Sequence, residues 1–146
     1  MYKVLFVPAQ SIDLWWPQLR DLLLGCPETW NDYETTDSIY TSLESGFASL
    51  VIVVREGSTK IEFAAIFQVR NYTEARTVHI FWCSGKNIDR YAEIFCAEME
   101  LMAAKMKIDW VEFGPARRGL EPFMAKFGYG DVKVIMRKKI ELRTLQ

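Results

Sequence analysis

A chain of 146 residues with half its side chains hydrophobic and a quarter charged is long enough to bury a full core as one domain, residues 1–146. Its net charge of −1 provides no overall attraction to nucleic acid or to an acidic membrane surface, and no apolar run is long enough to span a bilayer. The three cysteines, Cys26, Cys83 and Cys96, are odd in number and lack zinc-ligand spacing, and His79 is the single histidine, so no metal site is expected and a reduced, cytoplasmic setting is the simplest reading.

In chain order, Val4 to Val7 reads as a short strand, not a signal peptide, because no small-residue cleavage site follows it. Ser11 or Asp13 is placed to cap a helix with Ile12, Trp15, Trp16, Leu19, Leu22 and Leu23 on one broad face. Pro17 requires that this helix begin late or bend, and Gly25-Cys26-Pro27 ends it. Trp30 to Thr36 reads as a loop, and Thr36 or Asp37 as the cap of a second helix through Ile39, Tyr40 and Leu43, stopping near Gly46.

A three-strand meander follows. Ser49 to Arg55 is aliphatic enough to be covered on both faces. Glu56 to Thr59 is a hairpin turn. Lys60 to Arg70 returns with Ile61, Phe63, Ala65, Phe67 and Val69 alternating on one face. After a turn at Asn71 to Ala75, Thr77 to Cys83 places Val78, Ile80 and Trp82 opposite His79, Phe81 and Cys83. The longest helix is expected over Asn87 to Lys107, with a stripe of Tyr91, Phe95, Met99, Met102 and Met106.

The last third reads strand (Trp110 to Phe113), breaker pair Gly114-Pro115, helix (Arg117 to Phe127), Gly128 as a left-handed stop, Tyr129, and a strand over Val132 to Met136. The phrase FMAKFGYGDVKVIMRKKI, Phe123 to Ile140, resembles the closing segment of the GNAT acetyltransferase superfamily, whose members often end in a helix, Lys-Phe/Leu-Gly-Phe/Tyr and a strand. The order of elements matches that family over nearly the whole chain. The resemblance implies a mixed α/β domain, a GNAT-like acyl-CoA N-acyltransferase fold with a twisted mixed sheet, splayed central strands and flanking helices. It implies acetyl-CoA as co-substrate and an amine as acceptor, acylated by direct attack.

In such a fold the coenzyme lies where the fourth and fifth strands splay, here Thr77–Cys83 and Asp109–Phe113, with its pyrophosphate on the loop that opens the long helix. The resemblance thus places Trp82, Cys83, Ser84, Gly85, Lys86, Asn87 and Ile88 at the coenzyme. Arg117 and Arg118 carry the wrong charge for the N-terminus of the last helix, which reads either as a pair holding an anionic substrate or phosphate or as surface arginines with solvated stems. The family's Gln/Arg-x-x-Gly-x-Gly/Ala signature is missing: one glycine, Gly85, stands there, equally readable as an ordinary strand-to-helix turn. Met124 occupies the position where many members carry a proton-donating tyrosine, and a thioether has no proton to give.

By residue type His79 is the candidate base, since imidazole titrates near neutrality, with Glu62 on the preceding strand as a second candidate acting through water; a lone histidine is also a common structural residue. Cys83 and Tyr129 read as packing residues. Trp15, Trp16, Trp30, Tyr33 and Tyr40 fall where the family builds its acceptor pocket, and serve equally as core or as contacts between two copies in a homodimer. Arg137, Lys138, Lys139 and Arg143 form a basic end without a stacking motif, which does not support nucleic-acid binding. The abbreviated glycine loop is also similar to small phage-encoded GNAT-like proteins. That similarity implies an alternative, a non-catalytic protein with a structural role in a virion or a host-interaction role, located in host cytoplasm or virion.

Overall fold

The computed structural model describes residues 1–25, 34–114, 120–130 and 138. The expected strand over Val132 to Met136, Arg117, Arg118, Cys26, Trp30, Tyr33 and most of the basic end lie outside the described residues.

Five strands form one sheet in the order β1 (Tyr2–Val7), β2 (Ser49–Arg55), β3 (Phe63–Asn71), β4 (Arg76–Gly85) and β5 (Trp110–Phe113). The first four are successively antiparallel, and β5 runs parallel to β4. A parallel neighbour needs a crossover, and α3 (Ala92–Lys105) lies within that connection. One face of the sheet carries α1 (Ile12–Gly25) and α2 (Thr36–Glu44), which bury Ile12, Leu19, Leu23, Ile39 and Leu43 against Leu50, Ile52, Val54, Ala64 and Ile66. The other carries α3 and α4 (Leu120–Ala125), with Phe95, Met99, Ala103 and Met124 against Val51, Val53, Phe63, Ala65 and Ile80. β2 supplies side chains to both layers, which accounts for its unbroken aliphatic run.

Several elements differ locally from the sequence reading. α1 does not start late: a single 3-10 turn, Ala9–Ser11, leads into Ile12, and Pro17 stands inside the helix. Asp13, in its first turn, accepts a 2.5 Å hydrogen bond from the Tyr40 hydroxyl and so joins α1 to α2. The cap of α2 is Thr35, one residue before the expected pair. Its hydroxyl accepts from the Ser38 amide while the Ser38 hydroxyl accepts from the Thr35 amide. β3 begins at Phe63, not Lys60, so Ile61 packs with the α1–α2 layer, opposite the stripe of Phe63, Ala65, Phe67 and Val69.

The expected long helix divides in two. Asn87 takes a left-handed backbone (φ 57°), Ile88–Arg90 form a 3-10 turn, and α3 starts at Ala92. Tyr91, Phe95 and Met99 are buried as expected, whereas Met106 is exposed beyond the helix end. Gly128 has the expected positive φ, 86°, after α4.

Gly85 ends β4 for a steric reason. A Cβ there would lie 2.6 Å from the Glu62 carbonyl oxygen and 2.8 Å from the Phe63 Cα, so the strand end can meet β3 only without a side chain. Gly85→Ala should lower stability by about 1–3 kcal/mol, because rigid backbone has to move. Urea unfolding should show this as a lower midpoint with an unchanged slope.

Candidate active site at the divergence of two strands

β4 and β5 pair from Thr77 opposite Trp110 to Ile80 opposite Phe113, and the Gly114 amide donates to the Ile80 carbonyl at 3.0 Å. The β3–β4 ladder continues past this point to Gly85. At the same level β4 carries a bulge: Ile66 pairs with Trp82 and Phe67 with Ile80, which leaves Phe81 as the extra residue. The bulge resets the alternation. Val78 and Ile80 face α3, Phe81 and Trp82 both pack with the α1–α2 layer, and Cys83 returns to the α3 side. The expected grouping of Trp82 with Val78 and Ile80 is therefore overturned by one inserted residue.

His79 lies one residue before the divergence, on the α1–α2 face. Its register partner on β5 is Glu112, and Nδ1 of the imidazole is 2.8 Å from Oε1 of that carboxylate. The imidazole is mostly buried and the carboxylate half-exposed (side chains 16% and 47% accessible), so the pair opens to solvent on the glutamate side. A carboxylate accepts only, so Nδ1 carries the proton, and Nε2 of the neutral ring keeps its lone pair. Gly114 makes the room: a Cβ there would come within 2.9 Å of the imidazole Cε1. Burial lowers the basicity of His79, the hydrogen bond to Glu112 opposes it, and the Arg70 charge lowers it further.

On β3, Gln68 is the register partner of His79, and Arg70 stands two residues further on the same face. The Arg70 guanidinium reaches Gln68 Oε1 at 3.5 Å. Three adjacent strands thus place Gln68, His79 and Glu112 in one row, with Arg70 diagonal to His79 on the same face.

Glu62, the other expected base, is not brought to His79. It precedes Phe63, which pairs with Gly85, while His79 pairs with Gln68 six residues along, about 20 Å away at strand rise. Its carboxylate is 3.9 Å from Arg55 Nε, and its carbonyl accepts from the buried Tyr91 hydroxyl at 3.0 Å. The same hydroxyl contacts the Lys86 carbonyl, so Tyr91 fastens the Lys86 loop to the start of β3. Burial pushes the Tyr91 phenol up to about 12, and it remains a neutral donor.

Within the expected coenzyme loop, Gly85, Lys86 and Asn87 are exposed, Ser84 and Ile88 half-buried, with acidic Asp89 and Glu93 beside basic Lys86 and Arg90. Where the strands separate, Cys83, Ile88, Tyr91, Phe95, Cys96, Phe113 and Met124 line an apolar cavity of about 10 Å³, room for one water molecule at most. Met124 closes it from α4. Tyr129 stacks edge-on against Phe113 with its hydroxyl buried, and burial raises its pKa; it is a packing residue here. Among the described residues no group of His, Cys, Asp and Glu is disposed to hold a metal ion, and no helix is long and apolar enough to cross a membrane.

No protein-family model and no curated protein sequence matches the chain. Solved structures do. A probable acetyltransferase superposes with a TM-score of 0.72 at 7% identity, covering 97% of this chain and 99% of its own. An aminoglycoside acetyltransferase from an uncultured soil metagenomic sample, in complex with sisomicin, gives 0.70 at 13% identity over 97% of both chains. A predicted acetyltransferase with acetyl-CoA from Clostridium acetobutylicum gives 0.66 at 14% identity over 95% and 96%. The chain has the GNAT acetyltransferase fold. In that fold's terms the β4–β5 divergence is the splay anticipated from sequence, with His79 and Glu112 at its closed end.

Glu112, Arg70, Gln68, Gly114 and Tyr91 were not legible as site residues. Glu112 and Gln68 become neighbours of His79 only through cross-strand register, which local patterning does not encode.

The lone histidine provides a clean test of the electrostatics. Titration of its imidazole Cε1–H by NMR should give a midpoint below the ordinary value of about 6.5. Glu112→Gln should lower that midpoint further, since the carboxylate favours the charged ring. The folded chain resists a proton that the unfolded chain accepts. The associated stability is therefore complete above about pH 6.5 and declines as pH falls towards the folded midpoint.

Proposed function

We propose that the chain is an acyl-CoA-dependent N-acyltransferase that acetylates an amine by direct attack, with His79 as general base. The observation that carries this reading is the His79–Glu112 pair beside the β4–β5 divergence, in a fold shared with acetyltransferases. The neighbour that holds acetyl-CoA and the one that holds sisomicin, an aminoglycoside, are the models for donor and acceptor.

The divergence of the strands fits an extended donor lying along β4. Lys86 and Arg90 on the exposed loop are the cations for its phosphates, and Cys83, Phe113 and Met124 are the apolar contacts for its thiol end. Arg117 is kept as a further anion-holding residue of the proposal. Gly85 is already required by β3, so its presence does not by itself argue for a phosphate. When bound, the donor supplies a thioester carbonyl as electrophile and a thiolate as leaving group. The incoming amine nitrogen forms the C–N bond as the C–S bond breaks. His79 Nε2 accepts the amine proton, and Glu112, holding Nδ1–H, stabilises the imidazolium that results. Met124 offers no proton, so the thiolate draws its proton from solvent.

A second reading rests on the closed cavity: Phe113 and Met124 fill the space the thiol end would need, as in a protein that keeps the fold without the reaction. The same experiment separates the two. Thermal unfolding should shift upward with millimolar acetyl-CoA and with free coenzyme A, but not with ATP. Ligand at 100 times its Kd contributes about 2.7 kcal/mol. His79→Ala should preserve that shift while lowering kcat by roughly 10²- to 10⁴-fold. No shift with either form of the coenzyme would leave the non-catalytic reading.

A further inference from the structure

Arg70 is the one cation on the diagonal of side chains through His79, and nothing in the mechanism above uses it. It is half-buried, and among the described residues its side chain makes one hydrogen bond, the 3.5 Å contact to the neutral Gln68 amide, and has no carboxylate within 4.0 Å. Glu112 is held by His79 on the far side of β4, and the Asp109 carboxylate accepts from the Arg76 amide. A half-buried guanidinium without a counter-ion is a cost to the folded chain that a bound anion would remove.

The placement gives that anion a position. Arg70 pairs with Thr77, so it is the diagonal neighbour of His79 on the same face, about 7–8 Å away between backbones. The diagonal from Arg70 through His79 to Glu112 is polar in a fixed sense: cation on β3, neutral imidazole on β4, carboxylate on β5. A zwitterion with an ammonium at one end and a carboxylate at the other matches that polarity, its nitrogen towards His79 and Glu112 and its carboxylate towards Arg70. The guanidinium fork suits a planar carboxylate, and the Gln68 side-chain nitrogen is a further donor beside it. A phosphate dianion fits less well, because Glu112 stands on the same diagonal and repels it.

We propose that Arg70 is the carboxylate subsite of the acceptor, so that the amine acylated here belongs to an amino acid with nitrogen and carboxylate a few bonds apart. The assignment of the carboxylate as part of an acyl acceptor rests on the acyltransferase reading; the subsite itself does not.

The single imidazole reports binding without turnover. The full chain is titrated with each of the twenty L-amino acids, with the corresponding amino-acid amides, and with inorganic phosphate, while the His79 Cε1–H resonance is followed at fixed pH. At least one amino acid should move the resonance saturably, its amide should not, and Arg70→Gln should abolish the effect with an unfolding temperature no lower than that of wild type. Arg70→Lys, which keeps the charge and loses the fork, should bind more weakly than wild type. In acyl transfer, Arg70→Gln should raise KM for the amino acid roughly ten- to hundredfold and leave KM for acetyl-CoA unaltered. Equal shifts from acids and amides, a response to phosphate alone, an unaltered response in Arg70→Gln, or no response to any amino acid would each overturn the subsite. Amino-acid binding through Arg70 in a chain that acetyl-CoA does not stabilise would uphold the subsite and reject the acyltransferase instead.

Discussion

The inserted residue at Phe81 is the constraint on which the rest of the site depends. Up to Ile80, β4 is held from both sides, by β3 and by β5. At Phe81 the β3 register slips by one, at the level where the β4–β5 ladder ends with the Gly114 amide on the Ile80 carbonyl. Local twist rises at a bulge, and a strand that bends out of plane cannot keep a straight parallel neighbour. The break thus does two things together. It ends the β4–β5 ladder beside His79, and it moves Trp82 into the α1–α2 layer while Cys83 turns to the α3 layer. Were Phe81 kept in regular alternation, without the register slip, Trp82 would project on the side where Ile80 packs with Phe95 and Met99.

The two layers do unequal work around this point. On the α3 side the divergence is closed by Met124, Phe113 and Tyr91, and Tyr91 also fastens the Lys86 loop to β3. On the α1–α2 side the polar diagonal of Arg70, His79 and Glu112 lies along the sheet, and the glutamate reaches solvent. The apolar closure and the polar side chains of His79 and Glu112 thus lie on opposite faces of β4.

What could be read from the sequence follows what is local. The aliphatic run Ser49 to Arg55 was legible to the residue because an apolar segment bounded by Gly57 leaves one solution. The order of strands and helices was legible too, since each has its own period. The alternation of Thr77 to Cys83 was misread beyond Ile80, because a bulge leaves no mark in a period-two pattern. Gly85 was visible as a glycine that matters, but its cause, the Glu62 carbonyl and the Phe63 backbone, lies on another strand. His79 was visible by type alone. Its partner depended on the register of a parallel pair, and on Gly114 being small enough to admit the ring.

That partnership spans 33 residues and the whole α3 crossover. β2, β3 and β4 are joined by hairpin turns and are close in sequence, so their pairing closes short loops, whereas β5 can dock only after α3 has folded back across the sheet. A chain caught with the meander formed and β5 undocked has His79 in an open strand, without Glu112 to choose its tautomer and without the burial that depresses its basicity. The His79–Glu112 pair thus exists only in the completed domain, and a nascent or partly unfolded chain lacks it.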